Sequence, residues 1–151
     1  MTKSVLIPLV VLAAAPFAAA QAPAKIEITC NDQMTYNKKA FEVTSGQKVA
    51  LTLKNVGKIP LKTMGHNLVI LKPDSQLVAF AGKANLEKKT DYIPEEPELK
   101  KLIVAHTRLL GGGESHTITF TAGEPGAYPF LCTSPGHFSV MQGIMTVKPK
   151  P

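Results

Sequence analysis

Residues 132–141, with the sequence CTSPGHFSVM, place a thiol, an imidazole and a thioether within one short segment. Four residues separate Cys132 from His137, and three separate His137 from Met141. A proline and a glycine between the cysteine and the histidine favour a turn, which would bring the flanking side chains together. Three such donors on one turn indicate a metal site whose fourth donor comes from a distant segment.

His66 is the best candidate for that fourth donor, because it begins the apolar stretch HNLVILK, which is typical of a buried strand. His106 and His116 lie in no ligand motif, and we expect them to be structural or solvent-exposed. A thiolate, two neutral imidazoles and one weak thioether match the trigonal copper site used for electron transfer. Zinc prefers four strong donors, and thioether is a poor one. These residues therefore predict one copper ion per chain.

Three alternatives to a copper electron carrier remain open at this point. Cys30 and Cys132 are the only two cysteines, and in an exported protein they could form a disulfide. A cysteine-nucleophile enzyme would pair Cys132 with His137 or His66, although no orienting acid is recognisable in the sequence. A copper delivery or storage protein would use similar soft donors, usually as several exchangeable Met or Cys residues, which are sparse here.

The N-terminus has the pattern of a secretory signal peptide. Lys3 precedes residues 5–20, which carry no charge, include two prolines and end in alanines. This stretch is short for a membrane-spanning helix, so cleavage after Ala20 is predicted. Residues 21–151 are then expected to form a single periplasmic domain, with no membrane insertion after processing.

The remainder of the chain predicts an all-β fold. Apolar residues alternate, or form short apolar runs, between turn residues, as expected for strands that bury one or both faces. These segments are residues 24–29, 48–55, 66–72, 115–122, 127–132 and 143–149. Six or more short strands in a chain of this length are typical of a Greek-key β-sandwich or barrel.

One segment breaks the strand pattern. In residues 73–89, Leu77, Phe80, Ala81 and Ala84 recur at helical spacing, which predicts one inserted amphipathic α-helix. Asp74 or Ser75 is available as its N-cap. Residues 90–101 contain Pro94 and Pro97, and an irregular surface loop is predicted there.

The charge pattern gives little support for nucleic-acid binding. The formal net charge is +6, but the lysines are scattered along the chain. No basic helix and no aromatic stacking platform is recognisable, so we expect no nucleic-acid partner.

Residues 132–141 resemble the copper loop of the cupredoxins, and specifically of the azurin family, through Cys-Thr-x-Pro-Gly-His-x3-Met. Further stretches are similar to azurin segments in the same order: NDQMTYN (31–37), MGHN (64–67), AHTRLLGGGE (105–114) and GIMTVK (143–148). The resemblance covers about residues 25–150. It implies a type 1 (blue) copper site with His66, Cys132 and His137 as strong equatorial ligands, Met141 as a weak axial ligand, and the backbone carbonyl of Gly65 on the opposite side.

The resemblance also implies a function and partners. It implies a one-electron carrier between respiratory redox proteins, such as a c-type cytochrome donor and a copper or haem reductase acceptor. Such a carrier is not an enzyme, because the protein itself fills every copper position. Partners would dock at an apolar patch around His137, framed by Met34, Met64, Pro135 and Gly136. The protein is expected to be a monomer, and Asn67 is expected to tie the two ligand-bearing loops together.

Two of the departures from the family pattern concern the cysteines and the copper loop. The family disulfide is not matched, so Cys30 is expected to be a buried free thiol, the alternative being an exposed thiol that could link two chains. Ser134 stands where the family commonly has an aromatic residue between Cys-Thr and Pro-Gly-His. A small polar residue there is expected to change the hydrogen bonding around the thiolate and therefore the reduction potential.

Overall fold

The computed structural model describes residues 22–151 of the chain. This part contains eight β-strands and three short α-helices. The predicted signal peptide, residues 1–20, lies outside the described residues. The strands are β1 (Ala24–Cys30), β2 (Ala40–Thr44), β3 (Lys48–Asn55), β4 (Val69–Leu71), β5 (Ile103–His106), β6 (Ser115–Thr121), β7 (Gly126–Leu131) and β8 (Gln142–Lys148). The α-helices are α1 (Leu61–Met64), α2 (Leu77–Ala84) and α3 (Pro97–Lys100), with a 3₁₀ turn at Lys88–Thr90.

The strands form two sheets that enclose the core. One sheet has the order β1-β3-β6, with β1 parallel and β6 antiparallel to β3. The other has the order β2-β8-β7-β4-β5, in which only β2 and β8 run parallel. The predicted all-β sandwich is confirmed.

Strand alternation explains how the core is filled. In β3, Val49, Leu51 and Leu53 are almost completely buried, as the alternation predicts. Val49 and Leu51 lie opposite Phe120 and Ile118 of β6, which are partly buried and pack against the same core. Burying each large aliphatic side chain contributes about 1.5–3 kcal/mol, so this alternation sets which face of the sheet turns inward.

Helix α2 lies within the predicted helical segment and buries the predicted face. Phe80, Ala81 and Ala84 are buried and form a second cluster with Val69 and Leu131 of the five-stranded sheet. The helix is shorter than predicted, and the predicted N-cap is wrong. Gln76 is at the N-cap position and its side chain forms no capping hydrogen bond. Packing of the apolar face against the sheet therefore stabilises this short helix, which is common in proteins.

Several elements differ from the sequence-based expectation. Neither β2 nor β5, at opposite edges of the larger sheet, is predicted by the pattern. Helices α1 and α3 are not predicted either. Because α3 lies within residues 90–101, the prediction of an entirely irregular loop there is wrong. Within residues 22–151, no helix is long and apolar enough to cross a membrane.

Candidate metal centre

Strands β7 and β8 form the base of the loop 132–141. The last paired residues of the two strands are Leu131 and Gln142. Immediately beyond them, the Cys132 amide donates to the Met141 carbonyl at 2.9 Å. The Met141 amide in turn donates to the His137 carbonyl at 2.9 Å. The loop therefore closes on itself, and the sequence-predicted residues Cys132, His137 and Met141 lie on one ordered turn.

A second loop brings His66 to the same place. Because β4 pairs antiparallel with β7, the residues before β4 run beside those after β7. His66 is further held by two backbone hydrogen bonds with Leu110, of 3.0 and 2.8 Å. Gly65 must be glycine, since a Cβ there would lie 2.8 Å from the carbonyl oxygen of Leu61 and 2.9 Å from the Leu109 side chain.

His66, Cys132 and His137 form a compact group of donors. One ligand atom of each lies within 4.8 Å of the others, and all three residues are buried. The Cys132 Sγ and His137 Nδ1 atoms are 3.6 Å apart. Bonds of about 2.0 Å to nitrogen and 2.3 Å to sulfur, as zinc forms, would place trigonal donors about 3.7 Å apart. The observed spacing therefore suits a single first-row metal ion.

The nitrogens of His66 supply an independent test of this fit. Both His66 ring nitrogens are buried, and neither has a hydrogen-bond partner among residues 22–151. No other buried side-chain polar atom in that part of the chain lacks one. Leaving a buried polar group unpaired costs about 1–3 kcal/mol, so such groups usually indicate a bound ion or water. The donor set and this unpaired ring together fit a metal ion.

The histidines of the cluster are suited to metal binding at neutral pH. Burial, followed by the nearby charge of His137, lowers the pKa of His66 to about 4. Burial also lowers the pKa of His137. Burial raises the pKa of Cys132, opposed by hydrogen bonds from the backbones of Asn67 and Ser134 and from the Ser134 hydroxyl. Metal binding must therefore release the thiol proton, so metal affinity is expected to increase with pH.

Asn67 joins the two donor-bearing loops through its side chain. Its Oδ1 accepts a hydrogen bond from the Thr133 amide at 2.9 Å, and its Nδ2 donates to Thr133 Oγ1 at 2.8 Å. Nδ2 also lies 3.3 Å from the carbonyl oxygen of Asp91. The two bonds to Thr133 are buried and fix the position of the Cys132 loop relative to His66, which is the role expected of Asn67.

The two remaining predicted ligands lie next to this cluster. Met141 is completely buried, and its backbone bonds to both Cys132 and His137. Gly65 directly precedes His66 and is buried, and its carbonyl oxygen accepts a hydrogen bond from the Ser134 hydroxyl at 2.6 Å. Their roles as axial ligands stay predictions.

Two contacts around the site are not predicted by the sequence. The Ser134 position stands out in the sequence, but its bond to Gly65 depends on the pairing of two distant loops. Tyr36 is buried, and its hydroxyl donates to the Asn67 carbonyl at 2.5 Å. Neither partner is recognisable from residue spacing alone.

The two other histidines lie outside the cluster, as predicted. His106 is exposed, and its Nδ1 lies 3.1 Å from the Thr107 carbonyl oxygen. His116 is partly buried and its Nδ1 accepts a hydrogen bond from the Arg108 amide at 3.2 Å. Both therefore have local structural contacts and no place in the donor set.

The disulfide alternative is wrong. Cys30 and Cys132 are both free and buried. The Cys30 thiol is directed to the Lys54 carbonyl, with Sγ and O 3.8 Å apart. Burial, with smaller contributions from Cys132 and Asp32, raises the pKa of Cys30 to about 12.

Cys30 is consequently expected to be chemically inert in the folded protein. Its thiol is 1% exposed and essentially protonated at pH 8, so iodoacetamide should leave it unmodified. Mass spectrometry after alkylation of the folded protein should show no label at residue 30, and complete labelling after denaturation. Rapid labelling of Cys30 in the folded protein would contradict this expectation.

Comparison with known proteins adds independent support to the metal site. The family described as copper binding proteins, plastocyanin/azurin family, matches residues 22–148. Azurin from Achromobacter denitrificans is 41% identical over 143 residues, covering 90% of this chain and 92% of that protein.

Solved structures agree with this similarity. Reduced auracyanin from Roseiflexus castenholzii has a TM-score of 0.74 and 39% identity, covering 83% of this chain and 98% of that one. Auracyanin A from Chloroflexus aurantiacus, a blue copper protein, has a TM-score of 0.73 and 31% identity, covering 84% and 100%. The two-sheet fold, the His66–Cys132–His137 cluster and these matches lead to one conclusion: the chain belongs to the plastocyanin/azurin family of copper-binding proteins, and copper is its cofactor.

Proposed function

We propose that this protein is a periplasmic one-electron carrier with a mononuclear type 1 copper. His66, Cys132 and His137 are its equatorial ligands, and Met141 and the Gly65 carbonyl are its weak axial ligands. The observation that carries this proposal is the convergence of the three donor atoms within 4.8 Å, with both nitrogens of His66 unpaired among the described residues. A His₂Cys set with a weak thioether is the donor combination of electron-transfer copper sites.

The hydrogen bonds of the chain would hold the donors in one arrangement in both oxidation states of the copper. Copper supplies the one-electron change between Cu(II) and Cu(I). The backbone bonds between Cys132 and Met141, and the side-chain bonds between Asn67 and Thr133, hold both loops in place. Because the donors are buried and held by these bonds, they would rearrange little on electron gain or loss, and the barrier to transfer would be low.

Burial of the donors favours a carrier over the alternatives. His66, Cys132 and Met141 are completely buried, which limits access of a substrate or of a metal acceptor to these donors. An enzyme would need an open coordination position, and a delivery protein would need accessible donors. The chain is therefore an electron carrier without an enzymatic activity of its own.

Partners dock at the surface near His137, the least buried of the three clustered ligands. His137 is 8% exposed, and the adjacent Pro135 and Gly136 are exposed. Met34 and Met64, expected to frame this apolar patch, are each partly buried. The partners are a c-type cytochrome as donor and a copper or haem reductase as acceptor. All five proposed ligands come from one chain, so the site needs no second copy, and the proposed carrier is a monomer. Its export depends on the signal peptide proposed at residues 1–20.

A titration of the metal-free protein with Cu(II) tests the proposed function. We expect binding of one equivalent, an intense visible absorption from thiolate-to-copper charge transfer, and a type 1 EPR signal. Voltammetry of the copper-loaded protein should be reversible. Copper should pass only slowly to an acceptor apo-protein. Colourless binding would contradict a type 1 site, and rapid transfer of the metal would favour a delivery protein.

The axial role of Met141 can be tested with Met141→Leu. We expect the variant to keep its copper and visible absorption, because the axial bond is weak. Its reduction potential should rise by about 60 mV, a tenfold change for one electron. The reason is that removing a donor destabilises the electron-poor Cu(II) state. Voltammetry measures this shift.

Met145→Leu is the matched control. Met145 is also completely buried, but it lies in β8, outside the donor loop. Both substitutions keep side-chain volume nearly constant and should cost less than about 1.5 kcal/mol of stability. Equal shifts of the reduction potential in the two variants would show that Met141 is not a ligand.

A further inference from the structure

We propose that the Ser134 hydroxyl raises the reduction potential of the copper site through its hydrogen bond to the Gly65 carbonyl. This inference rests on the proposed function, because it requires Gly65 to face the metal. Ser134 is 4% exposed, and its Oγ lies 2.6 Å from the Gly65 oxygen. A buried side chain thus makes a short hydrogen bond to an atom proposed to lie beside the metal.

The fold leaves this hydrogen bond little freedom. The residues before β4 run beside those after β7, and the Asn67–Thr133 bonds fix their relative position. A Cβ at Gly65 would lie within 3.0 Å of Leu61 and Leu109, so this backbone segment is closely packed against both residues. Ser134 and Gly65 therefore face each other as a consequence of loop pairing.

The sign of the effect follows from electrostatics. The negative end of the Gly65 carbonyl dipole stabilises Cu(II) more than Cu(I), because Cu(II) carries the larger positive charge. A hydroxyl that donates to this oxygen offsets part of its negative charge. Cu(II) then loses more stabilisation than Cu(I), and the reduction potential rises.

Ser134→Ala is the main test, with Ser134→Thr as the variant that keeps the hydroxyl. We expect Ser134→Ala to shift the equilibrium towards Cu(II) by threefold to tenfold, which lowers the potential by about 28 to 59 mV. Ser134→Thr should stay within twofold of the parent protein. Voltammetry at fixed pH and ionic strength measures these shifts.

Ser139→Ala is a matched control within the same loop. The Ser139 hydroxyl donates to the Gly136 carbonyl at 3.2 Å, so this substitution also removes a hydroxyl-to-glycine hydrogen bond. Gly136 is not among the proposed ligands, and the potential should not change. A shift of equal size in Ser139→Ala would mean that general changes in the loop, and not the Gly65 bond, set the potential.

A measurement on the metal-free protein tests the hydrogen bond itself. With glycine labelled at its carbonyl ¹³C, Ser134→Ala should move the Gly65 resonance and leave Gly136 in place. Ser139→Ala should do the reverse. An unchanged Gly65 resonance, or an unchanged or raised potential in a blue Ser134→Ala protein, would overturn the inference. A parent protein that binds no copper would overturn the proposed function instead.

Discussion

Replacing Cys132 by serine is expected to abolish the visible thiolate-to-copper absorption completely. The sulfur is the donor in that charge-transfer transition, and a hydroxyl oxygen is a much weaker and harder donor. The fold should survive, because serine is close to cysteine in size and the backbone hydrogen bond from residue 132 to the Met141 carbonyl does not involve the side chain. Optical titration with Cu(II) and circular dichroism of the metal-free variant separate loss of the site from loss of the fold.

Cys30→Ser provides the control for this experiment. Cys30 is buried at the end of β1 and is not part of the donor cluster. A serine hydroxyl there can donate to the Lys54 carbonyl that the thiol approaches now. The Cys30→Ser protein should therefore keep full absorption. If the Cys30→Ser protein lost its colour and the Cys132→Ser protein kept it, the donor thiolate would be Cys30 and not Cys132.

Replacing Asn67 by alanine is expected to destabilise the metal-free protein by about 2–4 kcal/mol. The substitution leaves the Thr133 amide and hydroxyl without their buried partner, and it removes the contact with the Asp91 carbonyl. The melting temperature should fall by roughly 10 °C. Copper affinity should fall by about 10- to 100-fold, because the two donor-bearing loops are no longer joined.

Asn37→Ala is the matched substitution at the surface. The Asn37 side chain also accepts a backbone hydrogen bond, from the Thr29 amide at 2.8 Å, but the residue is exposed. Its loss should cost less than about 1 kcal/mol, because water can replace the partner. Thermal unfolding and competition with a copper chelator measure both variants. Equal effects at the two positions would show that Asn67 has no special role in holding the site.

The strands with clear alternation could be predicted from the sequence because one face of each must be buried. β1, β3, β6, β7 and β8 all lie within about two residues of the predicted segments. The apolar face of α2 was equally clear, since its residues pack as a group against the sheet. The physical reason is the same in each case: burial of apolar surface is repeated at the period of the element.

The missed elements depend on pairing rather than on pattern. β2 has five residues and is held by its parallel pairing with β8, far away in the chain. β5 has four residues, pairs with β4 at the edge of the sheet and shows no alternation of burial. Helix α1 is a single turn with no capping side chain and no buried residue. β5 and α1 carry no clear local signal, and distant segments stabilise them. In β2, the buried residues Phe41 and Val43 do alternate with exposed neighbours, but over only five residues.

The sequence by itself determined the donor loop, because a turn of fixed length must bring Cys132, His137 and Met141 together. It also indicated His66, although only as the best of the remaining histidines. Tertiary structure alone decided that His66 lies within 4.8 Å of the other donors, and that its ring is left without a hydrogen-bond partner among the described residues. It also decided that Ser134 meets the Gly65 carbonyl. The physical reason is that these contacts join residues more than sixty positions apart, and the pairing of β4 with β7 creates them.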